Sequence, residues 1–146
     1  MTQSEHWPTH AYVPGQNDRH PEGAFDLIRD TVRPGMTVEE LANSAAFQHG
    51  LRYLEAGFFW EAHEVLEPVW MALSNDSAER SFVQGLIQLA NGRLKLRMNR
   101  PKASHRLAVM ARDLIDAVST PQVMGLKTAD ARRQIDSLES EATGAL

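Results

Sequence analysis

The sequence contains no cysteine. That excludes disulfides, thiolate nucleophiles and cysteine-ligated metals, and it fits a reducing compartment. Long apolar runs are also missing. The longest hydrophobic stretches are broken within a few residues, far short of the ~20 needed to span a bilayer. The opening residues, MTQSEHWPTH, have no basic start and no hydrophobic stretch, so no secretory signal is expected there. No block of like charge stands out, and 15 basic against 19 acidic residues leave a formal net charge of −4. These absences predict a soluble, cytoplasmic protein with neither a nucleic-acid nor a membrane partner. There is no internal repeat, no low-complexity segment and no sustained strand-like alternation.

What is present is helical. The 146 residues, 42% of them hydrophobic, suffice for one well-formed core. The prediction is an all-α fold, a single-domain bundle of five to six helices over residues 21–146. Residues 1–20 form an irregular N-terminal segment packed on the body, with Trp7, Tyr12 and Val13 as anchors. A short helix should run from Pro21 to about Val32, stopped by Pro34-Gly35. Thr37 and Glu40 form a capping-box pair opening a helix to about Glu55, and Asn43-Ser44 marks a break within it. Gly57 ends that element, and the next helix covers about 58 to 73. Asp76 and Glu79 read as a second capping-box pair before a long helix from about Ser77 to Met98. Pro101 starts another, with Leu107, Met110, Leu114 and Val118 on one face. A loop around Gly125 leads to Thr128, an N-cap for a last helix ending near Glu141.

The two central helices pose the main question. The segment GFFWEAHEVLEPVW is apolar on most of its circumference, yet holds Glu61, His63, Glu64 and Glu67. A helix of that kind is central, so its carboxylates should be at least partly covered. In SFVQGLIQLANGRLKL, the residues Gln84, Gln88, Asn91 and Lys95 recur at i, i+4, i+7 and i+11, with Arg80 just before. Ser81, Gly85 and Gly92 lie beside that stripe and would admit a neighbouring backbone. An unpartnered buried carboxylate is very costly. The predicted solution is a polar seam in which His63, Glu64 and Glu67 meet Arg80, Gln84 and Gln88. Pro68 lacks the N–H that would bond the Glu64 carbonyl, so that carbonyl should turn toward the seam or water.

These two stretches resemble an uncharacterised bacterial and archaeal family, domain of unknown function 309. The family's hallmark is a glycine-aromatic-aromatic-x-Glu-Ala-His-Glu-x-Leu-Glu helix followed by an arginine and a Gln-Gly-Leu-Ile-Gln helix. Here Gly57, Phe58, Phe59, Glu61, Ala62, His63, Glu64, Leu66 and Glu67 supply the first. Arg80, Gln84, Gly85, Leu86, Ile87 and Gln88 supply the second. The resemblance covers about residues 47 to 110 and implies an all-helical fold, without an activity, substrate or cofactor. Lys95 stands where the family commonly has histidine, and Pro68 where it commonly has another residue.

Three functional classes compete. The first is a structural or small-ligand seam of His63, Glu64, Glu67, Arg80, Gln84 and Gln88, with Trp60 as a pocket wall. The second is a metal-dependent or acid/base, hydrolase-like enzyme using His63, Glu64 and Glu67. His63 and Glu67, at i and i+4, would share an ion, and HEVLE is one residue from the HExxH pattern. His10 or His20 would complete that set only if the tail folds over it. Without metal, Glu61, Glu64 and Glu67 at three-residue spacing would raise one another's pKa. The third is an assembly module in which aromatic residues line a homodimer interface. Arg19 is a candidate counter-charge for Glu64 or Glu67. No cofactor is readable from these residues.

Overall fold

The computed structural model describes residues 6–146. Among them, seven helices and one small hairpin follow in order: α1 (Asp26–Arg29), α2 (Val38–Ala42), α3 (Ala45–Ala56), α4 (Phe59–Ala72), α5 (Ala78–Arg97), α6 (Pro101–Asp116), β1 (Gln122–Val123), β2 (Leu126–Lys127) and α7 (Thr128–Gly144). The fold class is all-α in a single domain. No helix among the described residues is long and apolar enough to cross a membrane.

Local chemistry sets these boundaries. Thr37 and Glu40 form the reciprocal capping box, each satisfying the other's backbone N–H. The Asn43-Ser44 break is real: Ser44 is extended and its hydroxyl accepts from Phe47 N–H, starting α3 afresh. Gly57 closes α3 in the left-handed conformation (φ 91°), which glycine adopts without a Cβ penalty.

Three expectations need correction. The first helix is a single turn, Asp26–Arg29, not Pro21 to Val32; residues 22–25 form turns instead. The cap of α5 is Ser77, whose hydroxyl accepts from Arg80 N–H, while Asp76 is left-handed (φ 54°) and outside the helix. Thr128 is not the cap of α7 but its first residue, and its hydroxyl bonds back to the carbonyls of Thr120 and Pro121. The loop around Gly125 also closes into the antiparallel β1–β2 pair, with Gln122 opposite Lys127 and Val123 opposite Leu126. Two residues per strand are too few to leave an alternation in the sequence.

The core sits around α5, which packs against α4, α6 and α7, while α3 covers α4 and α6 covers α7. Ala62, Val65, Leu66 and Val69 of α4 are fully buried against Phe47, Tyr53, Phe82 and Val83. Small residues set the helix spacings. A Cβ on Gly85 would lie 2.6 Å from Ile115 Cδ1 of α6, and one on Gly92 would lie 2.6 Å from Leu138 Cδ2 of α7. Ser81 Oγ donates to the Leu114 carbonyl at 2.7 Å, joining α5 to α6. The side of α5 that carries small residues therefore receives the close backbone approach predicted for it.

Candidate functional site

The four titratable residues of α4 separate into two groups facing different partners. Glu61 is fully buried, at 0% exposure. Its Oε2 accepts from the Tyr12 backbone N–H at 2.8 Å and from His20 Nε2 at 2.5 Å. Both donors come from the irregular segment before α1. Glu61 Oε1 is buried with no hydrogen-bond partner.

Around this pair lies an aromatic cluster. His20 stacks on His10 at 4.3 Å and meets the edge of Phe25 at 5.1 Å. Trp60 lies 5.3 Å from Tyr12, 5.7 Å from His20 and 6.2 Å from Phe25. Deeper in, Tyr53 donates its hydroxyl proton to the His6 carbonyl. The His6 backbone N–H donates to His49 Nε2 at 3.3 Å, and His49 Nδ1 donates to the Ala45 carbonyl at 2.8 Å. Burial, and then the Glu61 charge, push the Tyr53 phenol well above its usual range. The described part of the tail, residues 6–20, lies against α3 and α4 through these contacts; residues 1–5 lie outside the described residues.

The second group is half-buried and belongs to Arg29. Pro68 sits inside α4 and leaves the Glu64 carbonyl without its helical donor. The Arg29 guanidinium supplies the missing donor through Nη1. The same guanidinium lies 3.7 Å from the Glu64 carboxylate and 3.5 Å from that of Glu67. His63 Nε2 is 3.4 Å from Glu67 Oε2, one helical turn away. The carbonyl freed by proline therefore turns to a cation from α1.

Several sequence expectations resolve differently here. Glu61 does not share a site with Glu64 and Glu67. Arg19 lies over the Trp60 ring at 5.9 Å, and Arg29 takes the counter-charge role foreseen for it. Trp60 belongs to the aromatic cluster. Arg80 donates to the Leu73 carbonyl at 2.9 Å and stacks over Trp70 at 4.5 Å. Gln88 accepts from Asn91 at 3.3 Å. Among the described residues, no side-chain hydrogen bond or ion pair joins Arg80, Gln84 or Gln88 to His63, Glu64 or Glu67. No group of three His, Cys, Asp or Glu residues among them is placed to hold a metal ion, so His63 and Glu67 gain no third ligand. Arg29 lies against the carboxylates of both Glu64 and Glu67.

A concave part of the surface lies elsewhere. A half-open groove of about 1000 Å³ runs between α3, α5 and α7. Leu51 and Leu54 of α3, Phe59 of α4 and Leu86 and Leu96 of α5 form its apolar wall, with Leu126 of β2. Arg93 on its rim pairs with Glu141 of α7, and Arg97 lies 4.4 Å over the Phe59 ring and donates to the Gly57 carbonyl. Lys127, also on the rim, has no ion-pair partner among the described residues. Sequence reasoning missed this groove. The Phe82–Leu86–Leu89–Leu96 flank of α5 was legible, but that it lines a groove together with residues of α3 and α7 was not.

No curated protein and no solved structure matches the chain. Residues 47–107, from within α3 to within α6, match the model of the family described as Domain of unknown function (DUF309).

Proposed function

We propose that the chain is a small-molecule-binding helical domain, that its site is the groove between α3, α5 and α7, and that the polar residues of α4 are structural. One observation carries this reading. The charged groups of α4 are already engaged within the chain: Glu61 with His20 and Tyr12, Glu64 and Glu67 with Arg29. The groove keeps apolar side chains partly open to solvent beside a free ammonium at Lys127. Binding sites of small molecules are concave, largely apolar and oriented by a few polar groups. The ligand chemistry that fits is an apolar body with one anionic end.

In this reading His63, Glu64, Glu67, Arg80, Gln84, Gln88 and Trp60 hold helix register and the tail. No metal and no proton transfer is assigned to them. A cytoplasmic location and a homodimer belong to the proposal on sequence grounds alone, with no surface singled out for the second copy.

The test uses anilinonaphthalene sulfonate, an apolar fluorophore with one anionic group. It should bind the native chain saturably. Leu54→Asp and Lys127→Glu should each weaken binding by about tenfold, equivalent to ~1.4 kcal/mol. Glu67→Gln should leave binding unchanged. Unaltered binding in Leu54→Asp, or loss in Glu67→Gln, would return the site to α4.

A further inference from the structure

Charge is unevenly distributed along this chain. Residues 80–112 hold eight lysines and arginines and no aspartate or glutamate, and the other seven basic residues share the rest of the chain with all 19 acidic ones. Interleaved apolar residues hide the excess from any scan for contiguous runs. The fold then concentrates it further. Arg80, Arg93, Arg97 and Arg112 are engaged, with Leu73, Glu141, Gly57 and the Asp136–Glu139 pair respectively. The side chains of Lys95, Arg100, Lys102 and Arg106 have no hydrogen-bond or ion-pair partner among the described residues, and the last three are exposed.

These four residues converge on one corner, where α5 ends and α6 begins. Lys95 is in the last turn of α5, Arg100 caps α6, and Lys102 and Arg106 are one turn apart on α6. No acidic residue occupies the first turn of α6, so the helix dipole adds to the positive potential instead of being neutralised. Between Arg100, Lys102 and Arg106 is a pit of about 460 Å³ with Pro101, Ala103, Ala145 and Leu146 in its wall, Leu146 being 64% exposed.

We propose that this corner docks an acidic protein segment that carries one aliphatic anchor. Carboxylates meet Arg100, Lys102 and Arg106, and the anchor enters the pit. Charge complementarity selects an anion. The pit selects an anion with an apolar side chain, which a flat anionic bilayer does not present. A single-stranded nucleic acid would need stacking platforms, and the sequence has no Phe, Tyr or Trp after Phe82. Four free cations are also fewer than the six to ten phosphate contacts typical of strongly salt-dependent duplex binders. The inference is independent of the groove, whose wall and rim contain none of these four cations.

The probe is a fluorescein-labelled heptapeptide of glutamates around a central leucine, titrated against the full chain by anisotropy. Binding should weaken as salt is raised. Replacing the peptide's leucine by glycine should cost about tenfold, as expected for losing one buried aliphatic side chain. The double variant Lys102→Glu with Arg106→Glu should lose at least about tenfold for the acidic peptide and gain binding of a lysine–leucine counterpart. Arg33→Glu, half that charge change on an exposed turn elsewhere, should change nothing, and Arg106→Glu alone, of equal charge change, should weaken binding. Equal binding by the reversed variant would overturn the proposal. So would no binding by the native chain, or tighter binding of a DNA duplex or of vesicles containing phosphatidylglycerol than of the peptide.

Discussion

His20 and Glu61 meet at 2.5 Å in a space that solvent does not reach, and the first belongs to an irregular segment, the second to the centre of the bundle. Removing one member leaves the other buried without its charge partner. Glu61→Leu should therefore destabilise the fold by ~3–5 kcal/mol, and adding His20→Leu should recover part of that loss. Glu67→Gln, at a side chain 37% exposed, should cost under about 1 kcal/mol. Urea denaturation of the three variants checks the contrast. Equal costs at positions 61 and 67 would mean that burial does not separate their roles.

Arg29 and Pro68 should be energetically coupled. In Arg29→Ala the Glu64 carbonyl loses its donor, at a cost of ~1–3 kcal/mol. Pro68→Ala restores the backbone N–H that α4 lacks there. In that background Arg29→Ala should cost about 1 kcal/mol less than in the native chain. A double-mutant cycle from thermal or urea unfolding measures the difference, and strict additivity would disprove the bracing role.

Gly50 illustrates a case where packing outweighs helix propensity. Alanine there would gain ~1 kcal/mol of intrinsic propensity. Its Cβ, however, would fall 2.5 Å from Leu66 Cγ, the branch point of a side chain with no exposed surface. Overpacking of that kind costs ~1–3 kcal/mol, so Gly50→Ala should lower the melting temperature. Gly144→Ala, with nothing within 4 Å of the added carbon, serves as the tolerant comparison.

Tyr53 gives the stability a signature in alkali. Burial favours its neutral phenol in the fold, while the unfolded chain ionises at the ordinary value of about 10. Above that pH the unfolded state has lost a proton that the native state keeps, so unfolding becomes easier as pH rises. The contribution is complete below pH ~10 and declines above it. Tyr53→Phe should flatten the decline while losing the hydrogen bond to the His6 carbonyl. Melting temperature against pH for both chains, together with ultraviolet titration of the phenol, tests this.

Local chemistry in the sequence was enough to locate most helices. The Thr37–Glu40 box, the Asn43-Ser44 break, Gly57 and Pro101 each act within one turn of chain, and each marks a boundary where expected. The periodicity of α4 and α5 likewise identified the apolar faces that form the core. Long-range pairing was less legible. A helical wheel puts Glu61 near Glu64, but it cannot show that a histidine 41 residues earlier reaches one and an arginine from α1 the other. The predicted seam failed for the same reason. Glu61, Glu64, Glu67 and Arg80 find partners outside the predicted seam, in His20, Tyr12, Arg29 and the Leu73 carbonyl.

The tail contacts also order the folding reaction. The pairs that tie it down span 41 to 81 residues of chain, whereas the α3–α4 and α4–α5 hairpins need only short loops. Loop-closure entropy delays the former, since each doubling of loop length costs ~0.6 kcal/mol. The helical hairpins are accordingly expected to assemble first, before the tail covers Trp60, Tyr53 and the Glu61 carboxylate. The capture of His20 should therefore come last in refolding, and a refolding phase that Glu61→Leu abolishes while the helical circular-dichroism signal forms at its native rate would check this.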